Sequence, residues 1–223
     1  MTARYNGYFN GNESYKTGVA ELEKLHVDDY SKILQIYKLG TAENATSLSS
    51  YFDKAYTKSS YVITRHSIFL KKKEHVRWIP EAYMLIGKAY FYKQEYKLAA
   101  DIFDYIIKTY GTFPTKYNAI VWLAKTYNQQ KKYEKAETQL DLFQEKADKN
   151  KKLIPKQALK DFPQVYADYH LKQENYQPSI EYLIAAIDKN KKKSTRVRLR
   201  FILAQIYQDM GKVAAASNLY DKV

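Results

Sequence analysis

The sequence predicts an all-α protein, a right-handed α-solenoid with one long helix inserted near its start. Three observations carry this reading. Apolar residues recur at helical rather than alternating spacing along nearly the whole chain. A pattern of small and aromatic residues returns at a constant offset: Tyr90 and Tyr127 stand 37 residues apart, and so do Ala99 and Ala136. The 223 residues include 23 Tyr but only 7 Gly and 5 Pro, which suits a loop-poor helical chain with aromatics at repeated packing positions.

Residues 1–27 read as a divergent first helix pair. Tyr5-Asn6-x2-Phe9 and Gly18-x3-Leu22 supply its landmarks, Asn10-Gly11-Asn12 its expected turn, and Asn12 or Ser14 a cap for its second helix. Thr2-Ala3-Arg4 reads as mid-helix, so the natural chain is expected to begin upstream of Met1. Residues 28–79 depart from the pattern. Asp28 or Asp29 is the expected cap of a short helix with Tyr30, Ile33, Leu34 and Tyr37 on one face, ending at Gly40. Beyond Asn44 and Thr46, the residues Leu48, Tyr51, Phe52, Ala55, Tyr56, Val62, Ile63 and Phe69 keep helical spacing. They predict one long helix over 44–70, closed by the basic turn Lys71-Lys72-Lys73.

Residues 80–223 read as four repeats of one unit: 80–113, 117–148, 160–190 and 197–223. The first is the most complete, with Tyr83-x2-Ile86-Gly87-x2-Tyr90, a polar turn at Lys93-Gln94-Glu95, then Ala99-x3-Phe103 and a break at Gly111 and Pro114. Gly87 and Ala99 let two helices approach closely, and the aromatics fill either side. Ile120-x2-Leu123-Ala124-x2-Tyr127 with Ala136-x3-Leu140 repeats it. So do Tyr166-Ala167-x2-His170 with Ser179-x3-Leu183, and Leu203-Ala204-x2-Tyr207 with Ala216-x3-Tyr220. This is the tetratricopeptide (TPR) pattern, a helix–turn–helix unit of about 34 residues.

The first 110 or so residues carry a narrower likeness. Ala3-Arg4-Tyr5-Asn6-Gly7-Tyr8-Phe9-Asn10, His26-Val27-Asp28-Asp29-Tyr30-Ser31-Lys32-Ile33, Arg65-His66-Ser67, and Arg77-Trp78-Ile79 leading to Leu85-Ile86-Gly87-Lys88-Ala89-Tyr90-Phe91-Tyr92 resemble the TPR lipoproteins of the type IX secretion and gliding-motility machinery of Bacteroidetes (the SprE/PorW group). The resemblance implies a lipid-anchored parent protein on the periplasmic face of the outer membrane, with translocon and outer-membrane proteins as partners. Its anchor cysteine would lie upstream of Met1.

No catalytic or cofactor motif stands out. The four His are scattered, there is no Cys, and no Gly-rich phosphate loop or nucleophile elbow appears. The expected function is therefore a non-catalytic scaffold for protein partners, with no cofactor, no metal and no small-molecule substrate. The net charge of +13 motivates an alternative, a helical repeat binding nucleic acid or another anionic polymer. Against it, the Lys runs fall where helices should end, and cations are favoured there. The concave face, lined by the first helix of each repeat, is the expected partner surface. Met84, Lys88, Phe91, Tyr92, Val121, Lys125, Asn128 and Phe201 are its expected contacts, in a groove for an extended or helical segment. Met84/Lys88 and Val121/Lys125 do not reproduce the polar set with which TPR domains clamp a chaperone's C-terminal carboxylate.

Overall fold

The computed structural model describes residues 7–223. Among them are eleven α-helices and one short hairpin. The helices are α1 (Phe9–Leu25), α2 (Ala42–Ser47), α3 (Ser49–His66), α4 (Trp78–Tyr92), α5 (Tyr96–Thr109), α6 (Thr115–Gln129), α7 (Tyr133–Asn150), α8 (Lys156–Leu171), α9 (Tyr176–Lys189), α10 (Lys193–Asp209) and α11 (Val213–Tyr220). Strands β1 (Phe69–Leu70) and β2 (Lys73–Glu74) pair antiparallel between α3 and α4. The helices pack as successive antiparallel partners, α4 on α5, α6 on α7, α8 on α9 and α10 on α11, with α4, α6 and α8 also touching in series.

Each of these four pairs turns on the same device. Gln94, Lys131, Glu174 and Gly211 occupy the left-handed region, with φ of 62°, 57°, 59° and 72°. The amide of the following residue then reaches back to the helix: Glu95 to the Tyr90 carbonyl, Lys132 to Tyr127, Asn175 to His170 and Lys212 to Tyr207, at 2.8–3.0 Å. These are Schellman closures, which satisfy carbonyls that a helix end leaves open. Small buried residues stand at matching positions in each pair, and Gly87 packs tightly against Phe103. A Cβ built on Gly87 would lie 2.6–3.0 Å from the Phe103 ring. Ala124, Ala167 and Ala204 answer Gly87, while Ala136, Ser179 and Ala216 answer Ala99, and all are buried. Ser179 stays satisfied there by donating its hydroxyl to the Ala167 carbonyl at 3.2 Å.

The N-terminal third differs from the expectation at several places. Tyr5 and Asn6, two of the expected landmarks, and Thr2-Ala3-Arg4 lie outside the described residues. Asn10-Gly11-Asn12 is not a turn: α1 runs straight through it. Gly11 and Gly18 share one face of α1 with Ser14, and that face presses on α3, where a Cβ on Gly18 would meet Tyr51 Cβ at 2.8 Å. Ser14 Oγ donates to the Tyr51 carbonyl across the contact. The partner of α1 is thus α3 rather than a segment inside 1–27. The long helix is present but breaks at Leu48 and ends at His66. Thr41, not Asn44 or Thr46, caps α2 through a reciprocal pair with Asn44. Phe69 lies in the hairpin, whose turn is Lys71-Lys72. Finally, residues 27–41 form no helix.

Candidate functional site: a groove filled by the chain itself

Residues 27–39 leave α1, enter the groove, and return as an Ω-shaped loop. The base is tied by His26: its Nδ1 accepts the Gly40 amide at 3.3 Å, so its Nε2 carries the proton facing Asp28 Oδ1 at 3.1 Å. Asp29 prevents the expected helix. Its carboxylate accepts both the amide and the hydroxyl of Ser31, 3.1 and 2.6 Å, a local turn that competes with helix formation. Beyond the tip the chain is extended, and Leu34 and Ile36 are buried two residues apart with Gln35 exposed between them. Over these three residues the burial alternates, which a helix does not produce.

The last first-helix, α10, holds this loop largely by its main chain. Gln205 acts like a strand edge: Oε1 accepts the Leu34 amide at 3.0 Å and Nε2 donates to the Lys32 carbonyl at 2.9 Å. Arg198 donates from Nε and NH2 to the Gln35 carbonyl at 2.9 and 2.7 Å. The same guanidinium grips Asp28 with both of its NH2 groups. That bonding holds the Asp28 carboxyl down at about 2, although burial opposes it. Near α4, Gln94 donates to the Leu39 carbonyl at 3.4 Å. Lys192 reaches Glu23 of α1 at 3.5 Å, so the first helix and the last pair are joined directly.

At the centre of the groove Lys125 is 5 % exposed and caged by aromatics. Its Nζ lies 3.7 Å from the Tyr37 ring centroid, 4.4 Å from Trp122, 4.8 Å from Phe91 and 5.6 Å from Tyr92. Burial pulls its pKa down to about 8, with Asp161 and Asp168 pulling the other way. Burial likewise lowers Lys88, which lies over Trp122, and raises Asp168. Asn128 donates to both the Val165 carbonyl and Asp168 Oδ2, at 3.1 Å each, and so ties α6 to α8.

These placements change what the eight expected contacts do. Met84, Phe91, Val121, Lys125 and Asn128 are buried and do not form an accessible patch. Phe91 sits edge-on to Trp122, and Tyr92 stacks on Phe52 of α3 and meets Tyr15 of α1. The reason is that α1 and the loop cover the groove, through contacts such as Tyr15 on Tyr92 and Tyr37 on Lys125 that lie far apart in sequence and that periodicity does not encode. Phe201 keeps an open side. It meets Tyr30 at 5.7 Å and borders two cavities, of about 790 and 740 Å³, flanking the loop. Sequence reasoning missed the loop itself, though its hints were present in Asp29-x-Ser31 and in the Leu34/Ile36 spacing.

Solved structures match the fold over most of the chain's length. BtubC from P. vanneervenii superposes with a TM-score of 0.60 and 14% identity, covering 100% of this chain and 90% of its own. A putative kinesin light chain from Podosopora anserina, with nearly identical TPR-like repeats, gives 0.54 at 11% identity, covering 95% and 91%. MamA from Desulfovibrio magneticus RS-1 gives 0.52 at 16% identity, covering 81% and 92%. The fold is a TPR-like solenoid. No protein-family model and no curated protein matches the sequence. Among the described residues no cluster of His, Asp and Glu could hold a metal ion.

Proposed function

We propose that the protein is a non-catalytic TPR scaffold whose groove recognises extended polypeptide. One observation carries this reading: the groove already holds an extended segment through its main chain, with Gln205 and Arg198 as the gripping side chains. Peptide recognition by backbone bonds plus side-chain pockets is a general mode. One open cavity lies beside Phe201, where Tyr30, Leu171, Tyr176 and Tyr220 offer apolar surface and Glu174 and Asp209 carboxylates, with Lys32 also on its edge. A partner segment with an apolar anchor next to a basic residue suits that cavity.

The finer assignment rests on the N-terminal resemblance. We place the scaffold in the type IX secretion and gliding machinery, in a lipid-anchored parent on the periplasmic face of the outer membrane. Translocon and outer-membrane proteins are its partners in this reading. A photo-crosslinking residue at Phe201, compared with one at solvent-facing Lys97, tests both levels in the envelope of a type IX-secreting bacterium. Crosslinks to translocon proteins from position 201 alone support both. Crosslinks to other proteins from position 201 keep the groove and remove the machinery, and equal labelling from both positions removes the groove.

A further inference from the structure

The hairpin between α3 and α4 plays no part in the groove, and it presents an unusual surface. Ile68, Phe69 and Leu70 are 51%, 49% and 59% exposed in one run, followed at once by the exposed Lys71, Lys72 and Lys73. Exposed large apolar residues are ordinary when scattered, but a contiguous group marks an interaction site. Tyr61 and Arg65 on the last turns of α3 extend it, with the guanidinium 5.8 Å from the Tyr61 ring, and Arg77 lies just beyond the hairpin.

The hairpin is held rigidly from below. Glu74 is buried, and its carboxylate accepts the Ser67 hydroxyl at 2.6 Å and the amides of Ile68, His75 and Val76 at 3.1, 2.9 and 2.7 Å. Its single negative charge is thus spent inside, and the outer surface is purely cationic. Lys71 and Lys72 take φ of 48° and 61° at the tip, a conformation that Asn and Gly adopt more easily. Side-chain charge is kept at a position where the backbone favours other residues.

We propose that this hairpin is a docking tip for an anionic lipid surface, Phe69 and Leu70 entering the headgroup region while Lys71, Lys72 and Lys73 pair with lipid phosphates. Apolar residues beside a basic cluster match the two components of interfacial binding, burial of apolar area and attraction to anionic lipid. Nucleic acid would use the lysines but leaves the apolar triad without a purpose, and among the described residues no helix is long and apolar enough to cross a membrane.

Flotation of the full chain with phosphatidylcholine vesicles, with and without phosphatidylglycerol, tests it. Binding is expected only with phosphatidylglycerol. Lys71→Gln/Lys72→Gln/Lys73→Gln should weaken it by roughly two orders of magnitude, and Phe69→Ser/Leu70→Ser by about tenfold or more. Both variants alter exposed positions and should melt within a few degrees of the parent. No binding to anionic vesicles overturns the proposal. So does binding that the serine variant retains in full, which would mean unspecific charge attraction. Equal affinity of parent and serine variant for a DNA duplex, exceeding that for vesicles, overturns it in favour of nucleic acid.

Discussion

Arg198 of α10 and Asp28 of the loop are 170 residues apart in sequence and form a two-pronged ion pair, with N–O distances of 2.8 and 2.7 Å. Both side chains are nearly buried, at 12% and 10% exposure, so solvent screens the pair little. Lys38 adds a second cation at 3.7 Å, and His26 Nε2 faces the carboxylate at 3.1 Å.

Asp28→Asn should therefore destabilise the fold by about 1–2 kcal/mol at neutral pH. The native carboxyl is held near 2, below the 3.8 it would have unfolded. Its stabilisation is complete above the unfolded value and disappears as pH falls through the native one. Denaturant melts of parent and variant should differ at neutral pH and converge towards pH 2. A gap that persists at pH 2 would show that the pair acts through packing rather than charge.

Gly87→Leu should cost about 1–3 kcal/mol or more, because the new side chain must displace the Phe103 ring at the tightest approach in the first repeat. Lys97→Leu on the outer face of α5 should stay within about 0.5 kcal/mol. Thermal melts ranking the two the other way would mean that the pair is packed in a different register.

Lys125→Met keeps the length of the side chain and removes the buried charge. The native ammonium titrates near 8, far below its unfolded value, so between pH 8 and 10 the unfolded chain binds a proton that the folded chain releases. Stability of the parent relative to the variant should rise across that window. Asp161, Asp168, Lys88 and Glu23 act on this ammonium, so the variant also changes the field that they feel. A constant difference from pH 7 to 10 would mean that the aromatic cage keeps the lysine fully charged.

What the sequence revealed follows from how local each signal is. Gly87, Ala99, Phe103 and their counterparts obey the 3.6 period within one helix pair, and the structure places them where that period requires. The inter-helix turns were legible as polar gaps at 93–95 and 131–132, but not as left-handed positions, because Gln94, Lys131 and Glu174 are not residues that announce a positive φ. The loop was not legible because Tyr30, Ile33, Leu34 and Tyr37 also satisfy a helical spacing, and only contacts with Gln205 and Arg198 decide between the two. For the same reason Phe91 and Lys125 lie on α4 and α6, yet nothing nearby in sequence says that α1 and Tyr37 cover them.

A solenoid without such a loop unfolds piecemeal, since each unit leans only on its neighbours. Here residues 28–39 and Glu23 stitch the beginning of the chain to α10, so the ends cannot fray independently of the middle. Loss of α10 would uncover Leu34 and Ile36 and leave Asp28 without its partner. Folding must also wait for a closure spanning most of the chain, and long-range closure slows folding. The row of helix pairs is thereby fastened across its length: α1 rests on α3, and the loop that follows it is complete only when α10 is in place.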